Sequence, residues 1–238
     1  MTAHTLAGDQ RGVALIEFAL TLPLLLLVGL GGIEVARYVQ MVLRMNQIAQ
    51  TVADNAARVR NAMDETDVNE VMIGGKLMGG DDFAANGRII LSDLEQRTTK
   101  ANGTSDFAQW IRWQRCAGAL NMASSYGVPR NSSGGAVTNL DSTVNTDHGA
   151  VESASTITGM GPGDAQIAAS GGTAVMVAEI FYAYRPLVPF FTFGPQTLRA
   201  VEAFNVRQRT DYSVYNGNKV SGDGRSDCRL FKAGIPTG

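Results

Sequence analysis

Residues 13–33 read VALIEFALTLPLLLLVGLGGI, a run in which Glu17 is the single charge. At about 1.5 Å per residue a helix of that length covers roughly 32 Å, about the thickness of a bilayer's hydrocarbon core. The stretch LPLLLLVGL has no polar face, so the segment reads as a transmembrane helix rather than the amphipathic helix of a water-soluble core. No second run approaches this length. The expected organisation is a single span with residues 34–238 on one side of it.

Working outward, residues 1–12 (MTAHTLAGDQRG) are short and polar. After the span the apolar positions change to helical spacing: Val35, Val39, Val42, Ile48, Val52, Ala56, Val59 and Met63, with Arg37, Arg44, Gln47, Asp54 and Arg58 between them. Steps of three and four trace one face of an amphipathic helix. Gly29, Gly31 and Gly32 weaken a helix without ending it, and Pro23 is expected to kink it. One continuous helix is predicted from about Val13 to Met63, with 34–63 as its amphipathic continuation.

Beyond Met63 the texture changes. Asp64 to Asn69 reads as an acidic turn, and MIGGKLMGGDDFAANG, rich in glycine, reads as loop. Four strand-like runs follow: Arg88–Leu94, Ala108–Cys116, Ala174–Tyr184 and Leu198–Arg209. Ala174–Tyr184 (AVMVAEIFYAY) is the clearest, rich in β-branched and aromatic residues. Residues 124–172 are crowded with Gly, Ser, Thr and Asn and read as loop. The Pro186–Pro189 segment and the following FGP suggest a long hairpin connection. A long helix followed by antiparallel strands defines an α+β fold, the helix packed on one face of a β-rich domain spanning 64–238.

Composition narrows the function. Lys and Arg total 20 and Asp and Glu 22, for a net charge of −2, and 18% of residues are charged. A disordered charged tail is excluded, and a basic nucleic-acid binder does not fit, so no nucleic-acid partner is expected. Two histidines rule out a His-rich metal site, and no cofactor motif stands out. Arg11 before the span and Arg37 and Arg44 after it leave the positive-inside comparison undecided. Cys116 and Cys228 are the two cysteines. A distant pair in a domain outside the cytoplasm is expected to form a disulfide; two unrelated buried thiols are the alternative. A loop of roughly 110 residues so closed is worth about 4–5 kcal/mol on the chain-entropy account.

The informative stretch is Gly12-Val-Ala-Leu-Ile-Glu17-Phe18. A carboxylate deep in hydrocarbon costs about 2.5–3.5 kcal/mol and needs a partner or a shallow depth. One reading is a first-turn Glu at the interface, favoured by the helix N-terminus. The other is that the chain is cut after Gly12, so that Val13 carries a free ammonium with which Glu17 pairs, on a neighbouring subunit.

G-x-x-x-x-E before an apolar helix resembles the processing site of type IV prepilins, with Gly12 at the cut and Glu17 at the fifth mature position. More specifically, GVALIEFALTLPLLLLVGLGGIEVARYVQ, running on to IAQTVADNAARV, resembles a TadE-like segment of the Tad (tight adherence) system. The matching elements are Glu17-Phe18-Ala19-Leu20, Pro23, the Leu run and the Glu34-x-x-Arg37 pair. The resemblance implies a minor pilin or pseudopilin, cut between Gly12 and Val13 by a prepilin peptidase and assembled through its helix, with Glu17 and Phe18 setting register. It implies as partners other pilin or pseudopilin subunits, inner-membrane Tad assembly proteins and the lipid bilayer. It also implies a single-pass place in the bacterial inner membrane with the C-terminal domain in the periplasm. Phe18 where major pilins usually carry Tyr, and the long domain, favour a minor component. Relatives with a von Willebrand-type domain carry a D-x-S-x-S metal motif, which Asp141-Ser-Thr does not fit.

Other features are weighed against plainer readings. His148 after Asp147 lacks a G-x-S-x-G partner and reads as a loop histidine, so no catalytic residues are assigned and an enzyme is not expected. The Asn216–Asp227 segment has oxygen-bearing side chains near glycines, but neither EF-hand spacing nor a closing Glu; a polar turn beside Cys228 is the plainer reading. Gly159-Met-Gly161-Pro-Gly163 resembles a phosphate loop by glycine count alone. Asn102-Gly-Thr and Asn131-Ser-Ser match glycosylation sequons. Trp110 and Trp113, at odd spacing on one strand, predict one ring in the core and one facing out. Phe190, Phe191 and Phe193 default to core packing, with a membrane-near or partner-facing cluster as the alternative. The competing functional classes are an uncleaved, membrane-anchored periplasmic scaffold or binding protein, and a secreted domain behind an ordinary signal peptide.

Overall fold

The computed structural model describes residues 12–96, 108–130, 135–136, 159–161, 163, 165–188 and 196–234. The chain divides into two units, one comprising residues 1–41 and 185–196, the other 42–184 and 197–238. Helix α1, Val13–Arg58, is 46 residues long with Pro23 inside it, and supplies its first part to the first unit and the rest to the second.

In the second unit, α1 buries Met45, Ile48, Ala49, Val52, Ala53, Ala56 and Ala57. The alternating steps of three and one mark a stripe facing the core, and its four alanines let the helix approach closely. The helix stops at Arg58, short of the expected Met63. Partners distant in sequence take its last carbonyls. The Arg209 guanidinium donates to Ala56 O at 2.7 Å and the Arg207 amide to Ala57 O at 3.3 Å. Met63 instead enters a two-residue strand, β1 (Met63–Asp64), paired in parallel with β6 (Val214–Tyr215).

The glycine-rich stretch expected to be loop is a helix, α2 (Glu65–Asn86), kinked at Gly80, where φ is 75°. Asp64 caps it: its carboxylate accepts from Thr66 N at 3.1 Å, while Asp67 accepts from Asp64 N at 2.9 Å. Glu65 and Asp67 in the first turn suit the positive end of the helix dipole. Each glycine in a helix costs up to about 1 kcal/mol relative to alanine. Packing outweighs this. Val68, Val71, Met72 and Phe83 are buried, and Gly75 lies so close to the core that an added Cβ would stand 2.8 Å from both Ile89 Cδ1 and Val52 Cγ2. Gly75 is thus where α1, α2 and the sheet meet.

The main sheet is antiparallel, in the order β3-β2-β4-β5. Its strands are β2 (Gly87–Gln96), β3 (Gln109–Ala117), β4 (Ala174–Ala183) and β5 (Thr197–Asn205), close to the runs read from the sequence. Side chains alternate between faces. Ile89, Leu91 and Asp93 of β2 share a face with Ile180, Ala178 and Met176 of β4, and this is the helix side, since Ile89 meets Gly75. On the other face Leu94, Ile111, Val175 and Val177 pack with Met160 and Ala169. Met160 and Ile167 form an isolated antiparallel bridge, exchanging backbone hydrogen bonds of 2.9 and 2.7 Å. A Cβ on Gly161 would lie 2.2 Å from Ala165 O. Both tryptophans are buried, Trp110 at 7% and Trp113 at 1% exposure, contrary to the expectation from spacing. A bulge in β3, where Gln114 and Ile111 oppose Ser92 and Leu94, breaks the simple alternation.

The C-terminal segment straps the far side of β3. Ser226 O accepts from Cys116 N at 2.8 Å, and Cys116 is disulfide-bonded to Cys228, 112 residues on. Arg88, 1% exposed, donates to Gly118 O (2.8 Å), Leu230 O (2.6 Å) and Cys228 O (2.6 Å), and lies 4.3 Å from the Phe231 ring centre. Burial lowers its pKa to about 10, with Asp227 opposing, so it remains charged at neutral pH.

Gly75→Val is expected to cost about 1–3 kcal/mol by overpacking, read as a lower urea midpoint with unchanged slope. Gly74→Ala, where a Cβ meets nothing within 4 Å, should instead raise stability, by up to about 1 kcal/mol. Reducing the disulfide should lower the thermal midpoint by about 10–20 °C, the equivalent of about 5 kcal/mol of loop-closure entropy. Near-UV circular dichroism with and without reductant measures this.

Candidate functional site

The candidate site is the first part of α1. Residues 13–30 are exposed without interruption, and no part of the most apolar window is buried against the protein. Leu15 is 72% and Leu24 63% exposed. The described residues contain one helix long and apolar enough to cross a membrane, and this is it. The helix begins at Val13, directly after Gly12, around which a Cβ would meet nothing within 4 Å. Glu17 and Phe18 are both exposed, one turn inside. Thr21 Oγ1 donates to Phe18 O at 3.2 Å, so the hydroxyl is satisfied within the helix. Val13, Glu17, Phe18 and Pro23 therefore lie on a bare helix whose outer surface is available to lipid or to another helix.

At the other end of the apolar run stands a residue of opposite character. Glu34 is 1% exposed. Its Oε2 accepts from Leu187 N at 2.8 Å and Val188 N at 3.3 Å. Both amides belong to the β4–β5 connection, which is part of the same unit as this stretch of helix. The sequence marked Glu34 as part of a Glu-x-x-Arg pair; it carried no signal of a bond to backbone 153 residues away.

The second unit holds a polar cluster that sequence reasoning missed. Asp93 is fully buried on the helix side of the sheet, beside Glu95, Arg112 and Arg209. Arg112 donates to Glu95 at 2.7 Å and to Ser213 Oγ at 2.7 Å. No donor reaches either carboxylate oxygen of Asp93 among the described residues. Burial first, and then the neighbouring Glu95 carboxylate, hold the Asp93 carboxyl well above the usual range, with Arg209 and Arg112 opposing. Among the described residues no group of three or more His, Cys, Asp or Glu is arranged to hold a metal ion. Several oxygens of the Asn216–Asp227 segment are engaged by other groups of the protein. Asn216 Oδ1 accepts from Val220 N at 2.7 Å, and Asp227 pairs with Arg229. His148, the sequons at Asn102 and Asn131, and Phe190, Phe191 and Phe193 lie outside the described residues.

The Asp93 cluster makes a pH prediction. A carboxyl whose folded-state pKa is raised contributes stability that is complete below the unfolded value of about 3.9 and is lost as pH rises through the folded value. Asp93→Asn should flatten the decline in stability between mildly acidic and neutral pH and leave the variant at least as stable as the parent at neutral pH. Urea midpoints across that range test it.

No curated protein and no solved structure shows significant similarity to the chain. A family comparison does find a match, and it falls on the exposed apolar helix and its continuation: residues 12–58, from Gly12 to the end of α1, match the family model described as TadE-like protein.

Proposed function

We propose that the protein is a structural component, a minor pilin or pseudopilin, of a Tad/Flp-type pilus assembly system. The TadE-like match supports a pilus-associated, non-enzymatic role. The observation that carries the finer reading is the helix itself: from Val13 to Leu30 its side chains are exposed, and Glu17 is its single charge. A surface so apolar is unstable in water and is stable in a bilayer or in a bundle of like helices. In this reading a prepilin peptidase removes residues 1–12, Val13 gains an ammonium, and Glu17 of one subunit pairs with that ammonium on its neighbour. In hydrocarbon the pair neutralises two charges that would each be costly alone, and so sets the axial register of neighbouring helices. The protein sits in the inner membrane as a single-pass component. Its C-terminal domain, carrying the disulfide, faces the periplasm, where oxidation of Cys116 and Cys228 is favoured. Its partners are other pilin or pseudopilin subunits and the inner-membrane Tad proteins.

Intact mass and N-terminal sequencing of the protein from its native membrane test this. A start at Val13 is the expected result. A start at Met1 overturns processing and leaves an uncleaved anchored scaffold; a start near Gly32 means a secreted domain. Glu17→Ala should abolish incorporation into the assembled pilus while leaving membrane insertion intact, as read by fractionation and cross-linking.

A further inference from the structure

We propose that the Arg185–Val188 limb of the β4–β5 connection is a membrane-interface contact, clamped onto helix α1 by Glu34 and resting Leu187 in the lipid headgroup region. The inference rests on the membrane reading of α1 and adds a second element to it.

Depth supplies the first argument. The apolar run from Val13 to Ile33 matches a bilayer core of about 30 Å, and Glu34 is the next residue. Leu187 N lies 2.8 Å from the Glu34 carboxylate, so this limb is held at the level where the apolar run ends. Residues at that level match an interface. Arg37 and Arg185 are exposed cations placed for lipid phosphates, and Tyr38 is half-buried one turn beyond Glu34.

The exposure of Leu187 supplies the second argument. It is 61% exposed, although its amide is fixed to a buried acid. A short Pro-Leu-Val limb that projects a leucine while its backbone is anchored has the form of an interfacial contact. Its backbone donors are satisfied by Glu34, which removes the main cost of bringing irregular backbone toward lipid. Glu34 gains as well: its charge is met by two amides at a depth where an unmet carboxylate is unfavourable. Glu34 is a positioning residue here, and Leu187 makes the contact.

The test uses the full-length chain, with its disulfide intact, in phosphatidylcholine vesicles containing one-quarter phosphatidylglycerol. An environment-sensitive fluorophore is attached at Leu187→Cys or, separately, at Leu25→Cys in the middle of the apolar run. Quenching is compared for aqueous iodide, a lipid spin-labelled just below the headgroup, and a lipid spin-labelled deep in the acyl chain. The expected result is deep-label quenching at position 25, with shallow-label quenching and loss of iodide quenching at position 187. Deep quenching at 25 with full iodide access at 187 overturns the interfacial contact and leaves the membrane helix standing. Shielding of 187 from both iodide and lipid labels overturns it in favour of a protein partner. Absence of lipid quenching at 25 overturns the membrane reading and this inference with it. Adding Glu34→Ala should restore iodide quenching at 187, while Glu34→Gln, which retains an acceptor oxygen, should keep the probe shielded. A simple loss of packing would not distinguish these two variants.

Discussion

A helix that is apolar on every side cannot remain in water, and the exposed run of α1 imposes that constraint on the protein. Its leucines are exposed among the described residues, a surface that lipid or other helices would stabilise. The continuation of the same helix obeys the opposite rule. From Met45 to Ala57 it shows a single buried stripe, rich in alanine, that closes on a sheet within its own unit. The change from all-round apolarity to one-sided amphipathicity takes place within one continuous helix. Glu34 stands just past the apolar run and meets the backbone amides of Leu187 and Val188.

The second unit is organised around a close approach. Ile48 and Val52 of α1, Gly75 of α2 and Ile89 of β2 converge where no side chain larger than hydrogen fits on α2 without displacement. That contact explains how a segment with so many glycines holds a helix: burial and capping exceed the backbone entropy that glycine costs. The buried ion pair between Glu65 and Arg115 ties the start of α2 to β3. On the opposite face the C-terminal segment is held three ways, by the disulfide, by an edge hydrogen bond to β3 and by Arg88, which binds the Cys228 and Leu230 carbonyls. The redundancy suits a segment with little regular structure of its own.

The parts of the fold legible in the sequence are those governed by periodicity and composition. The apolar run, the one-sided continuation and the four long strands all follow from patterns that repeat within one element. What escaped depends on partners far along the chain. The end of α1 is set by Arg207 and Arg209. The helicity of the glycine-rich stretch depends on the groove that receives it. The burial of both tryptophans follows a bulge that local alternation does not reveal. Asp93 lies in a run read only as a strand; the assembled sheet alone encloses it with Glu95, Arg112 and Arg209.

The sequence by itself determined that this chain carries a membrane-length helix beginning at Gly12-Val13 with one carboxylate inside it, and an α+β body beyond. These properties depend on local hydropathy and spacing, which no tertiary contact alters. The tertiary structure alone decided that Glu34 is buried against the Leu187 and Val188 amides, that glycine at position 75 is a packing requirement, and that Cys116 and Cys228 lie within bonding distance. Each of these joins residues separated by long stretches of chain, and such pairings are selected by the shape of the whole fold rather than by any window of sequence.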